Sequence, residues 1–153
     1  MWSKIKAFFH KHPKDIDPGR YKILVVDDSE VERKFYTSTL EKAGFRVRAA
    51  RDCEQALSLI GEKQPDLIML DYQMPGMNGK DFCFRLKNNE TTELIPVIFL
   101  TGSIRDDDVL SCYEVGAEHY LSKPIDGRAL VRQVSMVLSD LEAENCLQKT
   151  QQS

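Results

Sequence analysis

The chain has 153 residues, 42% hydrophobic and 29% charged, which suits one globular domain with one sizeable core rather than a disordered segment. No apolar run approaches the ~20 residues of a membrane helix, and Lys4 and Lys6 stand where a secretory signal would be apolar. Residues 1–20 carry five basic side chains against two acidic ones, so the net charge of −3 divides into +3 there and −6 on the rest; a mildly acidic body gives no footprint for nucleic acid.

Residues 1–20 read as a basic amphipathic extension. Trp2, Ile5, Phe8 and Phe9 share one helical face among Lys4, Lys6 and Lys11. Four readings stay open: packing on the chain's own domain, a frayed tail, docking on a partner, or a weak anchor of residues 1–13 on an anionic membrane surface. After them come three short runs, Ile23-Leu24-Val25-Val26, Leu67-Ile68-Met69-Leu70 and Val97-Ile98-Phe99-Leu100. They do not alternate with polar residues, so they suit parallel strands covered on both faces. Arg46–Ala50 and Glu118–Ser122 are weaker strand candidates.

Helical patterns fill the gaps. Val31, Phe35, Leu40 and Ala43 share a face that ends at Gly44. Ala56, Leu57, Leu59 and Ile60 follow Asp52, a candidate N-cap. Phe82 and Leu86 mark a third helix after Gly79, and Val109 and Tyr113 a fourth before Gly116. Leu130, Val134, Val137, Leu138 and Leu141 form the clearest stripe. Strand and helix alternate five times, which predicts an α/β domain, a doubly wound five-stranded parallel sheet with five helices. The domain is placed at 21–143, with a polar tail at 144–153.

Ligands of such sheets bind beyond the carboxyl ends of the strands. Those ends carry Asp27-Asp28, Asp71, Thr101 and Lys123-Pro124. Three carboxylates, a hydroxyl and an ammonium are therefore expected on one rim. Carboxylates so close raise each other's pKa unless positive charge relieves them. Lys123 supplies one charge, and a hard divalent cation such as Mg2+ suits the remainder. A carboxylate is also a competent nucleophile toward phosphorus, so the set points to phosphoryl transfer onto an aspartate. Singly, each residue has a plainer use: Asp28 or Ser29 as a helix cap, Thr101 as a strand former, Tyr120 as a half-buried aromatic.

The strings LVVDDSE, LIMLDYQMPGMNG, PVIFLTGS and GAEHYLSKP, in that order, resemble the receiver domain of two-component response regulators over about residues 21–143. The resemblance implies a flavodoxin-like receiver fold. It implies Asp71 as phosphoacceptor, with Mg2+ held by Asp28, Asp71, the Gln73 backbone carbonyl and, through water, Asp27. It implies that Lys123 pairs with the phosphoryl group, and that the Lys123–Pro124 peptide bond is similar to one that is often cis in the family. Thr101 and Tyr120 would be the switch pair, Gln73 and Ser103 would tune hydrolysis, and the small Gly102 would keep the phosphate accessible. Ile125 departs from the Phe common there. The implied partners are a sensor histidine kinase or phosphotransfer protein and a downstream protein, or an effector domain absent from this chain; a homodimer is a further option. Cytoplasmic placement follows, and the four cysteines without a CxxC pair agree with it. An aspartate-nucleophile phosphatase is the rival reading, but its DxDx[TV] motif is missing from Asp27-Asp28-Ser29-Glu30.

Overall fold

The computed structural model describes residues 16–102 and 105–152. Five strands run β1 (Lys22–Val26), β2 (Arg46–Ala50), β3 (Leu67–Asp71), β4 (Val97–Thr101) and β5 (His119–Ser122). They form one parallel sheet in the order β2-β1-β3-β4-β5. The helices are α1 (Glu30–Lys42), α2 (Cys53–Glu62), α3 (Gly79–Lys87), α4 (Asp106–Glu114) and α5 (Gly127–Gln151). The doubly wound α/β architecture expected from the alternation is the one observed.

The pleat explains the continuous apolar runs. Successive side chains of a strand point to opposite faces, and here both faces are covered. Leu24, Val26, Ile68, Leu70, Val97 and Phe99 pack with Ala56 and Ile60 of α2, Phe82, Cys83 and Leu86 of α3 and Cys112 of α4. Ile23, Val25, Leu67, Met69, Ile98 and Leu100 pack with Tyr36 and Leu40 of α1 and Leu130, Val134, Val137 and Leu138 of α5. The two faint strands, β2 and β5, are the sheet edges, where only part of each strand is covered. Glu118, expected to open β5, instead lies just before it: its carboxylate accepts from the Val97 amide at 2.5 Å and from Lys87 Nζ at 2.9 Å, which fixes the start of β4.

Helix starts follow local chemistry. Ser29 Oγ accepts from the Glu32 amide, Asp52 from Gln55, Asn78 from Asp81, and Asp126 from Arg128 and Ala129. Gly44, with φ of 101°, takes the left-handed turn that stops α1.

Two helix faces differ from the expectation. In α1 Leu40 is buried and Ala43 packs on the same layer as expected, but Val31 is 80% and Phe35 46% exposed and the other buried residue is Tyr36, whose apolar ring area the expected stripe left out. In α4 the buried residue is Cys112, not the exposed Tyr113, since a free cysteine packs as a small hydrophobe. Cys53, Cys83 and Cys112 are all buried free thiols.

At the ends, Ile16 is buried against the α1–α5 face, and residues 144–151 continue α5 without a break at 143. Residues 1–15, which carry the amphipathic N-terminal pattern, lie outside the described residues. Among the described residues no helix is long and apolar enough to cross a membrane. Phe82 is fully buried between α3 and the sheet. Phe82→Ala is therefore expected to cost about 3–5 kcal/mol, read as a lower urea midpoint at unchanged slope.

Candidate functional site

Strand register carries the site together. Val26 pairs with Leu70, so Asp27 and Asp71 emerge side by side. Asp71 pairs with Leu100, and Thr101 with Ser122, so Thr101 and Lys123 complete the same rim. Backbone bonds extend the ladder past the strand ends: Asp27 N–H to Ala50 O at 3.1 Å, Tyr72 N–H to Leu100 O at 2.9 Å and Lys123 N–H to Thr101 O at 2.7 Å. The side chains are thus presented by backbone that is itself held in the sheet.

Lys123 Nζ donates to Glu32 Oε2 at 2.7 Å, to Asp71 Oδ1 at 3.2 Å and to Asp27 Oδ2 at 3.4 Å. Asp27, Asp71 and Thr101 are buried, and Asp28 is exposed at the mouth. One carboxylate oxygen from each of Asp27, Asp28 and Asp71 lies within 4.8 Å of the others. An all-oxygen donor set of this size and charge fits a hard divalent cation. The Lys123–Pro124 peptide bond is cis.

Burial and charge set the protonation. Desolvation, then the neighbouring Asp27 carboxylate, push Asp71 up to about 7 against the opposing pull of Lys123. Desolvation also raises Asp27, tempered by its bond from the Ser29 amide and by Lys123. For Lys123, burial alone would lower the pKa; the Glu32 hydrogen bond and the fields of Asp71 and Asp27 outweigh it, so the ammonium titrates above its ordinary range.

Behind the rim, Gly79 permits a close approach. A Cβ there would sit 2.3 Å from the Asp71 carbonyl oxygen and 3.0 Å from Tyr72 Cα, and the Gly79 amide donates to Tyr72 O at 3.1 Å. The glycine that opens α3 therefore also seats the backbone of Asp71. Of the other expected residues, Tyr120 is half-buried and meets Tyr113 edge to face with ring centroids 6.1 Å apart. Gln73 is exposed on the loop after β3. A Cβ on Gly102 would meet nothing within 4 Å, so the rim is open there. Ser103 lies outside the described residues.

Glu32 is the member that sequence reasoning missed. The signal was present as Ser29-x-x-Glu32, a capping-box pattern in which the glutamate turns back to the cap's own amide. Here the Ser29 amide is already taken by Asp27 Oδ1 at 2.9 Å. Glu32 is released from that duty and reaches Lys123.

Comparison with known proteins agrees with this geometry. The family model for the response regulator receiver domain matches residues 23–135. The chain belongs to the response regulator receiver domain family. It is 40% identical over 116 residues to the phosphate regulon transcriptional regulatory protein PhoB of Pseudomonas aeruginosa, covering 76% of this chain and 51% of PhoB. It is 35% identical over 118 residues to protein PilH of the same species, covering 77% of this chain and 98% of PilH. The structure of chemotaxis protein CheY4 of Vibrio cholerae superposes with a TM-score of 0.73 at 30% identity, over 76% of this chain and 98% of CheY4. The chain thus spans about half the length of PhoB and nearly the whole of PilH. The acidic rim of Asp27, Asp28 and Asp71 is consistent with the phosphorylation site of such a domain.

Two outcomes follow from the receiver site. A carboxyl whose folded pKa lies above its unfolded value opposes folding once ionised; for Asp71 that penalty is absent below about pH 4 and complete above about pH 7. In metal-free buffer, Asp71→Asn is expected to raise unfolding free energy by about 2–4 kcal/mol at pH 8, with the gain shrinking as pH falls toward 4 in urea titrations. Gly79→Ala is expected to lower the melting temperature and to move the Asp71 and Tyr72 amide resonances, because the added methyl meets backbone rather than a side chain that can yield.

Proposed function

We propose that this receiver accepts a phosphoryl group on Asp71 from a phosphohistidine of a sensor histidine kinase or phosphotransfer protein in the cytoplasm. A carboxylate oxygen of Asp71 forms the new O–P bond as the N–P bond of the donor breaks, and the departing imidazole takes up a proton. The observation that supports this most is the ammonium of Lys123 lying 3.2 Å from Asp71 Oδ1 within a three-aspartate rim.

Asp71 is fixed by β3 and by the close approach at Gly79, so little movement is needed to present its oxygen to the donor. Lys123 offsets the charge that the phosphoryl oxygens bring and orients the group by a charged hydrogen bond. Asp28, Asp71, the Gln73 carbonyl and, through water, Asp27 would hold a divalent cation such as Mg2+, which would supply positive charge beside the phosphoryl oxygens. Thr101 then donates its hydroxyl to a phosphoryl oxygen, and Tyr120 follows it inward, repacking the face formed by α4, β5 and α5. Gln73 and Ser103 set how readily water reaches the acyl phosphate, and Gly102 leaves that approach open. The chain's own catalysis is confined to its phosphorylation and dephosphorylation. Output passes to a protein partner, a second copy, or an effector domain of the kind that the full-length PhoB relative has room for.

Incubation with acetyl phosphate and Mg2+ tests this reading. Intact-mass spectrometry is expected to show one added phosphoryl group that hydroxylamine removes, and Asp71→Asn is expected to show none. Lys123→Ala is expected to slow uptake by about 10–150-fold, the worth of one charged hydrogen bond. Uptake by Asp71→Asn, or repeated turnover of phosphomonoesters by the native chain, would overturn it.

A further inference from the structure

Glu32 stands in the first turn of α1 and takes the shortest of the three contacts made by Lys123: 2.7 Å, against 3.2 Å to Asp71 and 3.4 Å to Asp27. An ammonium has three protons and no more. All three point at carboxylates. A phosphoryl group on Asp71 brings further anionic acceptors to the same ammonium, so one existing partner must give way.

The surroundings decide which. Asp71 and Asp27 are presented at strand ends by backbone held in the sheet, and their carboxylates are almost wholly buried. Asp27 is further held by the Ser29 amide, and its carbonyl by Arg33 Nη1 at 2.7 Å. Removing Lys123 from either would strand a buried charge. Glu32 has a longer side chain on a helix surface, and that side chain is 39% exposed. It alone can turn out to water with little desolvation to overcome.

We propose that Glu32 is a positioning residue that competes with the phosphoryl group for Lys123 and so sets the pocket's affinity for that group and the lifetime of the acyl phosphate. The inference rests on Asp71 being the phosphoacceptor and adds a regulator of that site. The competition acts through reach as well as charge. Glu32→Gln removes the charge, and Glu32→Asp keeps it but draws the carboxylate back by one methylene. Both should therefore release Lys123.

Beryllofluoride binding in Mg2+, followed by NMR titration, is the test. Glu32→Gln and Glu32→Asp are each expected to bind about three- to tenfold more tightly than the native chain, a charged hydrogen bond discounted for its exposure to solvent. The gain from Glu32→Gln is expected to vanish when Lys123→Ala is also present, since the cycle isolates what passes through the ammonium. Where that background binds too weakly to titrate, the same ratio is read from initial rates of uptake from acetyl phosphate. Unchanged or weaker binding by Glu32→Gln overturns the proposal. So does native-like binding by Glu32→Asp, or a gain that persists without Lys123, because either marks simple charge repulsion. A native chain that takes up neither beryllofluoride nor phosphate sinks the phosphoacceptor reading itself, and the competition with it.

Discussion

Lys123 Nζ faces the carboxylates of Asp27, Asp71 and Glu32 at once, and the pocket is tolerable in a folded chain because of that one cation. Two aspartates buried side by side are costly: each loses water and each repels the other. The ammonium offsets part of this, as the opposing pull on both aspartates shows. It does not offset all of it, since Asp71 still titrates near 7. The three aspartates therefore form a cluster that could hold a metal ion, whose charge would offset the rest.

The sheet turns that local demand into a fixed geometry. The five parallel strands point their carboxyl ends to one side, and register alone brings residues from positions 27, 71, 101 and 123 onto one rim. The hydrophobic layers above and below are what hold the register, because a one-residue slip would send every core side chain to the opposite face and against the wrong helices. Packing and chemistry are coupled in this sense: Phe82 and Leu130, far apart in sequence, secure the two layers between which Asp71 and Lys123 are presented.

This coupling also explains what the sequence made legible. Strands buried on both faces were plain as apolar runs, and the residue ending each run named the site. Edge strands were faint because β2 alternates and β5 is only partly covered. The face of α1 was only half legible because one of its two buried residues is a tyrosine, and Glu32 was overlooked because its role depends on a competition. Whether a glutamate three residues after a serine caps its own helix or reaches across to Lys123 is decided by what Asp27 does with the Ser29 amide. That is a tertiary fact with no periodic signature.

The energetics of switching follow from the same network. One hydrogen bond to a charged group contributes roughly 1.5–3 kcal/mol, whereas moving a two-state population from 1:99 to 99:1 takes about 5.5 kcal/mol of differential binding. The Thr101 hydroxyl alone falls short of that. In the proposed switch Lys123, the cation and the repacking of Tyr120 would supply the rest, and which partner the ammonium gives up would then matter. Glu32 sits on α1 and Lys123 follows β5 directly, so the proposed release of Lys123 would free a contact that joins α1 to the carboxyl end of β5. A receiver whose lysine were held only by its buried aspartates would have no such contact to lose.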